Sequence, residues 1–158
     1  MDKTIVTALL IIAGVVSAVL VFNTIYPAVI QSSDAMTGRQ RRIDERLNSQ
    51  VEIIHAAPYG VLLIDTVFVW AKNVGSSRIA AIENCDVFFG PDGAFYRVPY
   101  GTGASHWTYE VENGARWDPT VTLKITLDLE DNLDDGERYF VKVILPNGVS
   151  DEYYFSID

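Results

Sequence analysis

The chain has few of the groups on which small secreted or catalytic proteins rely. Its single cysteine, Cys85, excludes an internal disulfide. That residue lies in an apolar, strand-like segment and is expected to be a buried, inert thiol. Histidine occurs only at His55 and His106, and neither has a partner at metal-ligand spacing. No Asn-x-Ser/Thr triplet occurs, which excludes N-glycans at that motif. Ser105 and His106 are adjacent, but a triad is spatial and no base–acid pair can be identified for a nucleophile. Gly101-Thr102-Gly103 lacks the strand–loop–helix frame of a phosphate loop. No enzyme is expected. The most consequential absence is charge: the whole stretch from Thr4 to Ile30 carries none.

As a helix this run would be about 40 Å long, more than the roughly 30 Å hydrocarbon core of a bilayer. It exceeds a secretory h-region, and no small-residue cleavage box follows it. Ile5, Leu9, Ile12, Val16, Leu20, Phe22 and Ile25 place apolar groups on all its sides, as burial in lipid or among neighbouring helices requires. Gly14, Ser17 and Ala18 are small enough to let another helix come close. Pro27 removes one backbone donor and predicts a kink about one turn earlier.

The helical spacing continues through Gln31–Val51. Met36, Ile43, Leu47 and Val51 form a narrow apolar stripe. Beside it, Arg39–Arg46 places Arg41 and Arg42 three or four residues from Asp44 and Glu45, pairs that add a few tenths of a kcal/mol each. This cluster reads either as a juxtamembrane anchor on anionic lipid or as a solvated helix face. Gly38 is a weak point costing about 1 kcal/mol against Ala. The sequence therefore predicts one helical segment over residues 1–51 and a second domain over 52–158.

Charge divides along the same line. Residues 1–52 hold five Lys/Arg and five Asp/Glu, whereas residues 53–158 hold seven Lys/Arg against sixteen Asp/Glu, so the net charge of −9 belongs to the second domain. Such an acidic domain argues against nucleic acid and against docking on anionic lipid. From Val51 onward the apolar period changes to two. Segments 51–57, 61–72, 83–89, 94–99, 105–111, 120–128, 138–145 and 149–157 read as strands. Val121, Leu123, Ile125 and Leu127 share one face, as do Tyr139, Val141, Val143 and Leu145. Turn signals stand at Gly90-Pro91-Asp92-Gly93 and Pro146-Asn147-Gly148. The expected fold is α+β: a long N-terminal hydrophobic helix followed by an antiparallel β-sandwich of Ig-like architecture, without the Cys–Trp–Cys spacing of antibody domains. In the acidic run Asp128–Glu137, Asp128, Glu130, Asn132 and Asp134 place oxygen ligands at every second position. This reads as a solvated inter-strand loop or as a weak Ca2+ site, the only cofactor the residues suggest.

Three phrases carry a family resemblance: VWAKNVGS at Val69–Ser76, WDPTVTLKITL at Trp117–Leu127 and GERYFVKVILPNG at Gly136–Gly148. In this order, behind an uncharged N-terminal helix, they make the chain resemble the archaellins and the related FlaG/FlaF archaellum proteins over nearly its whole length. Position five is Ile5, where bacterial type IV pilins usually carry Glu, so a pilin of that type is disfavoured. Archaellin precursors carry a basic leader cut after a glycine. Here only Met1, Asp2 and Lys3 precede Thr4, so the chain is expected to be either a mature form or an unprocessed, anchored accessory. The resemblance implies a structural subunit of a helical swimming filament, assembled through a core bundle of helices that Ile43 and Leu47 extend. It implies self-association, with or without related subunits, and an unassembled monomer in the cytoplasmic membrane. It also implies contact with the archaellum motor and platform, and a filament on the cell surface. The alternatives it implies are a membrane-anchored, FlaG/FlaF-like stator contacting the surface layer, or an adhesive type IV-like pilus subunit.

Overall fold

The computed structural model describes residues 2–60 and 64–157, without the side chains of residues 28 and 32–35. Helix α1, Asp2–Asn48, is continuous through Pro27. Eight strands follow: β1 (Val51–Tyr59), β2 (Thr66–Asn73), β3 (Asp86–Pro91), β4 (Tyr96–Val98), β5 (His106–Val111), β6 (Thr122–Asp128), β7 (Arg138–Ile144) and β8 (Ser150–Ser156). All eight expected strands form. The expected segment 61–72 begins as β2 only at Thr66, and its residues 61–63 lie outside the described residues. The segment expected at 83–89 starts later, because Ile82–Asn84 is a short 3-10 turn. The helix ends at Asn48, short of the expected limit at Val51.

The strands make two antiparallel sheets, ordered β1-β2-β6-β5 and β4-β3-β7-β8. Alternation sets their faces: in β2, Val67, Val69, Ala71 and Asn73 point inward while the intervening side chains are half exposed. Leu123, Ile125 and Leu127 from β6, Val87 and Phe89 from β3, and Val141 and Val143 from β7 meet them, none more than 1% exposed. Trp107 and Trp117 complete this core. The sheets are also tied at one edge. Ile54 is a bulge in β1, and the neighbouring Ile53 N–H donates to Asp151 Oδ2 on β8 at 2.7 Å.

The chain divides into two compact units, Met1–Ile43 and Asp44–Asp158. The last turn of α1 thus belongs with the sandwich. Every buried residue of the core cluster lies in the second unit.

Cys85 is buried between the 3-10 turn and β3. Burial, with the nearby Asp86 and Glu83 carboxylates, pushes its thiol up to about 12. The folded state therefore favours the protonated thiol. That contribution to stability is intact below the ordinary thiol value of 9.0 and is lost as pH rises from there towards about 12. Native protein is expected to resist iodoacetamide at mildly alkaline pH and to react at Cys85 only once unfolded in urea, as read by mass spectrometry.

Candidate assembly helix and neck

The first candidate site is α1 itself. Leu9, Leu10, Ile11 and Ile12 are 60–68% exposed, and four successive residues cover all sides of a helix. Ile5, Val16, Leu20, Phe22 and Ile25 are also exposed. By length and composition the helix is able to cross a membrane, with a mean hydropathy of 2.9 over its best 18-residue window. Two of its hydroxyls bond back to the helix: Thr7 donates to the Lys3 carbonyl and Thr24 to the Leu20 carbonyl, each at 2.8 Å. Ser17, Ala18, Val21, Phe22, Ile25 and Val29 line a shallow apolar groove along one face. A Cβ added at Gly14 would meet nothing within 4 Å, so that face is open to close approach. Further along, Met36, Ile43 and Leu47 are 72%, 54% and 71% exposed.

The second candidate site, the neck where the helix ends in the sandwich unit, is held by polar contacts. A terminating helix leaves carbonyls unpaired, and two turns supply donors to them. The Asn48 carbonyl accepts from Ser76 N–H at 2.9 Å and Ser77 N–H at 3.1 Å. The Ser76 hydroxyl reaches Asn48 Oδ1 at 3.0 Å. Gly75 is required here by space: a Cβ would lie 2.5 Å from the Asn48 carbonyl oxygen and 2.6 Å from Gln50 N. Asn73, fully buried at an inward position of β2, organises this loop. Its amide donates to the carbonyls of Ser77 (2.9 Å) and Trp117 (3.1 Å), and its Oδ1 accepts from Gly75 N–H (3.0 Å). On the other side Arg46 Nε donates to the Asn147 carbonyl at 2.7 Å, in the turn between β7 and β8.

The Arg39–Arg46 expectation needs correction. No ion pair forms between Arg41 or Arg42 and Asp44 or Glu45; the ion pairs among the described residues are Arg97–Asp86 and Lys142–Glu152. Arg42 Nε instead donates to the Gly38 carbonyl at 3.3 Å. Exposed pairs of this kind stabilise so little that side-chain freedom outweighs them. Arg46 alone joins the sandwich. Asn147 stood in a turn signal and Asn73 and Gly75 in the phrase VWAKNVGS, but their role at the neck, like that of Asn48, was not read from sequence. The available signal was Asn73, a polar residue at an inward position of an otherwise apolar strand.

Asp128 ends β6, Glu130, Asn132 and Asp134 follow it, and all four lie on the surface, while Leu129 between them is buried. Among the described residues no three acidic, histidine or cysteine side chains gather as metal ligands. The loop is tied down by its backbone: Leu129 N–H donates to the Asp65 carbonyl and Leu133 N–H to that of Ile64. Asp134 N–H donates to the Tyr139 hydroxyl at 2.7 Å. Burial raises the Tyr139 phenol above its ordinary value, and the Asp134 and Glu137 carboxylates push the same way against that hydrogen bond. At the Ser105-His106 pair, the imidazole Nδ1 lies 2.8 Å from the Ala104 carbonyl. His55 stacks on Trp70 with ring centroids 5.5 Å apart.

The profile of the archaeal-type flagellin family matches residues 3–155, helix and sandwich together. The chain belongs to that family. A relative from Archaeoglobus fulgidus, described as an uncharacterized protein, is 29% identical over 98% of both chains. Two solved structures from Sulfolobus acidocaldarius are each 30% identical. One is the archaellum periplasmic stator protein FlaG, with a TM-score of 0.60 over 68% of this chain and 99% of that one. The other is the FlaF–FlaG stator complex, with a TM-score of 0.59 over 67% and 88%. The archaeal flagellum of Methanospirillum hungatei shares the fold over 96% of this flagellin-family chain and 92% of its own, with a TM-score of 0.72 at 11% identity. The protein is therefore an archaellum-related, structural and non-enzymatic component.

Replacing Asn73 by Ala would leave Gly75 N–H without its side-chain acceptor and the Ser77 and Trp117 carbonyls without their amide donor. A loss of about 1–3 kcal/mol is expected in urea unfolding of residues 44–158. Gly75→Ala, which drives a Cβ against the Asn48 carbonyl, is expected to destabilise the same fragment. Unchanged midpoints for both would remove the neck from the account.

Proposed function

We propose that this chain is a filament subunit of the archaellum, assembled through a core bundle of its N-terminal helices. The observation that carries this is the unshielded length of α1. A lone membrane anchor needs about 20 apolar residues. Here the uncharged run from Thr4 to Ile30 is already longer than that, and the helix then presents Met36, Ile43 and Leu47 to the surroundings beyond it. A single anchor would leave that second stripe in water, whereas neighbouring helices in a bundle would cover both parts. The family match, which takes helix and sandwich as one unit, supports the same reading.

In this scheme the monomer waits in the cytoplasmic membrane with residues 4–30 in lipid. Assembly replaces lipid contacts by helix–helix contacts, with Gly14, Ser17 and Ala18 allowing close approach. At about 25 cal/mol per Å² of apolar area, returning one such helix to water costs tens of kcal/mol as an upper bound. Dissociation is then effectively forbidden. The acidic sandwiches form the wet outer surface on the cell exterior. Torque from a membrane motor and platform enters each sandwich through the neck. The 30% identity to FlaG over 68% of this chain favours a second reading, a stator anchored by the same helix and reaching the surface layer.

Shearing cells and pelleting the released material decides between them. A filament subunit is expected in bulk in thin sheared filaments, and a stator in the membrane fraction at low copy. Val16→Asp places a charge in the bundle and is expected to abolish filaments while residues 44–158 still fold. Normal filaments from that variant would sink the bundled core.

A further inference from the structure

Along its strands the sandwich carries an acidic loop at one end and Arg78 and Arg116, beside Glu112 and Asp118, at the other. The register sets Thr66 of β2 and His106 of β5 opposite Asp128 of β6, and Lys72 opposite Thr122 at the other end. The six-carboxylate loop Asp128, Glu130, Asp131, Asp134, Asp135 and Glu137 leaves one pole. Arg78 follows the β2 terminus, and Arg116 lies between β5 and β6, both at the opposite pole, about 20 Å away for strands of this length. None of the loop carboxylates is in an ion pair among the described residues, and neither is Arg78 nor Arg116.

Arg78 and Arg116 share one cleft. The sandwich has few cations, and most others are engaged: Arg97 and Lys142 in ion pairs, Lys124 over Phe68 and Arg138 over Tyr154. The cleft's one lining carboxylate, Glu83, already accepts from the Tyr109 hydroxyl at 2.8 Å. That bond, after Glu83's own backbone N–H, holds the Glu83 carboxyl below its ordinary value. Trp117, fully buried, also lines the cleft, and its indole N–H has no acceptor among the described residues. The cleft thus presents two unpaired guanidiniums, suited to bidentate capture of carboxylates.

We propose that the occupant is a second copy of this chain, whose acidic loop 128–137 docks head-to-tail in the Arg78–Arg116 cleft. Donor and acceptor surfaces lie at opposite poles, so the contact is heterologous. Such a contact does not close on itself within a pair, and where its rotation does not close into a ring it propagates as an open helical array. Its choice of occupant rests on the filament reading, although the contact itself does not require one. It supplies register between neighbouring sandwiches, while the helix bundle supplies cohesion.

The test uses full-length chains in the cells that make them. Copies carrying Arg116→Cys and copies carrying Asp131→Cys are co-expressed in a Cys85→Ser background and oxidised. A disulfide-linked dimer is expected from the mixture, roughly tenfold above the control pair Arg116→Cys with Glu152→Cys. Arg78→Glu with Arg116→Glu is expected to lower the yield of sheared filaments roughly tenfold, and adding Asp131→Lys with Asp134→Lys to recover part of it. Wild-type filaments with no cross-link above control overturn the head-to-tail contact and leave the filament reading standing. A cross-link without filaments leaves the contact standing and overturns the filament reading. Undiminished filaments from the double Arg reversal also overturn the contact.

Discussion

Everything in this chain depends on one incompatibility: from Thr4 to Ile30, α1 has no surface that water tolerates. A helix of globular protein hides one stripe and wets the rest. This one exposes bulky aliphatic groups on every side, with Leu9–Ile12 all at 60% or more. Because nothing in the lipid-compatible half is charged, all the solubility must be carried elsewhere. The uneven charge division follows, with the full −9 confined to residues 53–158. The core of the sandwich is internal to the second unit. The helix depends on an external cover, first lipid and then neighbouring copies in the filament scheme.

In the filament scheme force passes through the covalent link between the helix and the sandwich. The last turn of α1 is part of the sandwich unit, and hydrogen bonds hold it from two turns. Buried polar networks are stable only when every member is satisfied. Asn73 meets that condition, using its amide and its carbonyl oxygen on three backbone groups within the described structure. A hydrophobic contact at the same place would permit sliding, because it is non-directional. Directional hydrogen bonds and the close approach at Gly75 resist it.

Much of this was legible before any coordinates. The period of two in β6 and β7 identified Leu123, Ile125, Leu127, Val141 and Val143 as core, because alternation is a direct consequence of the pleat. The helix was legible because an absence of charge all the way from Thr4 to Ile30 has few physical explanations. What escaped were contacts between residues distant in sequence. Arg46 looked like one of four equivalent arginines, and only the folded turn at Asn147 distinguishes it. The phrase VWAKNVGS was visible in the sequence, but the role of its last residues as the cap of a helix ending far upstream at Asn48 was not. The start of β3 was misplaced because Ile82 and Cys85 are apolar and suit a strand. The left-handed backbone at Ala81 instead starts a 3-10 turn there.

The two kinds of contact assigned to this protein have different physics, and a filament needs both. Apolar burial along α1 is strong but carries little positional information, since many registers of two smooth aliphatic helices bury similar area. Charge placement carries little net free energy at an exposed site, yet it penalises wrong registers, because like charges then face each other. A subunit with only the helix would aggregate, and one with only the sandwich would stay soluble and monomeric. An acidic loop at one end and the Arg78–Arg116 cleft at the other make the proposed contact heterologous, and such a contact grows as a helix when its rotation does not close into a ring.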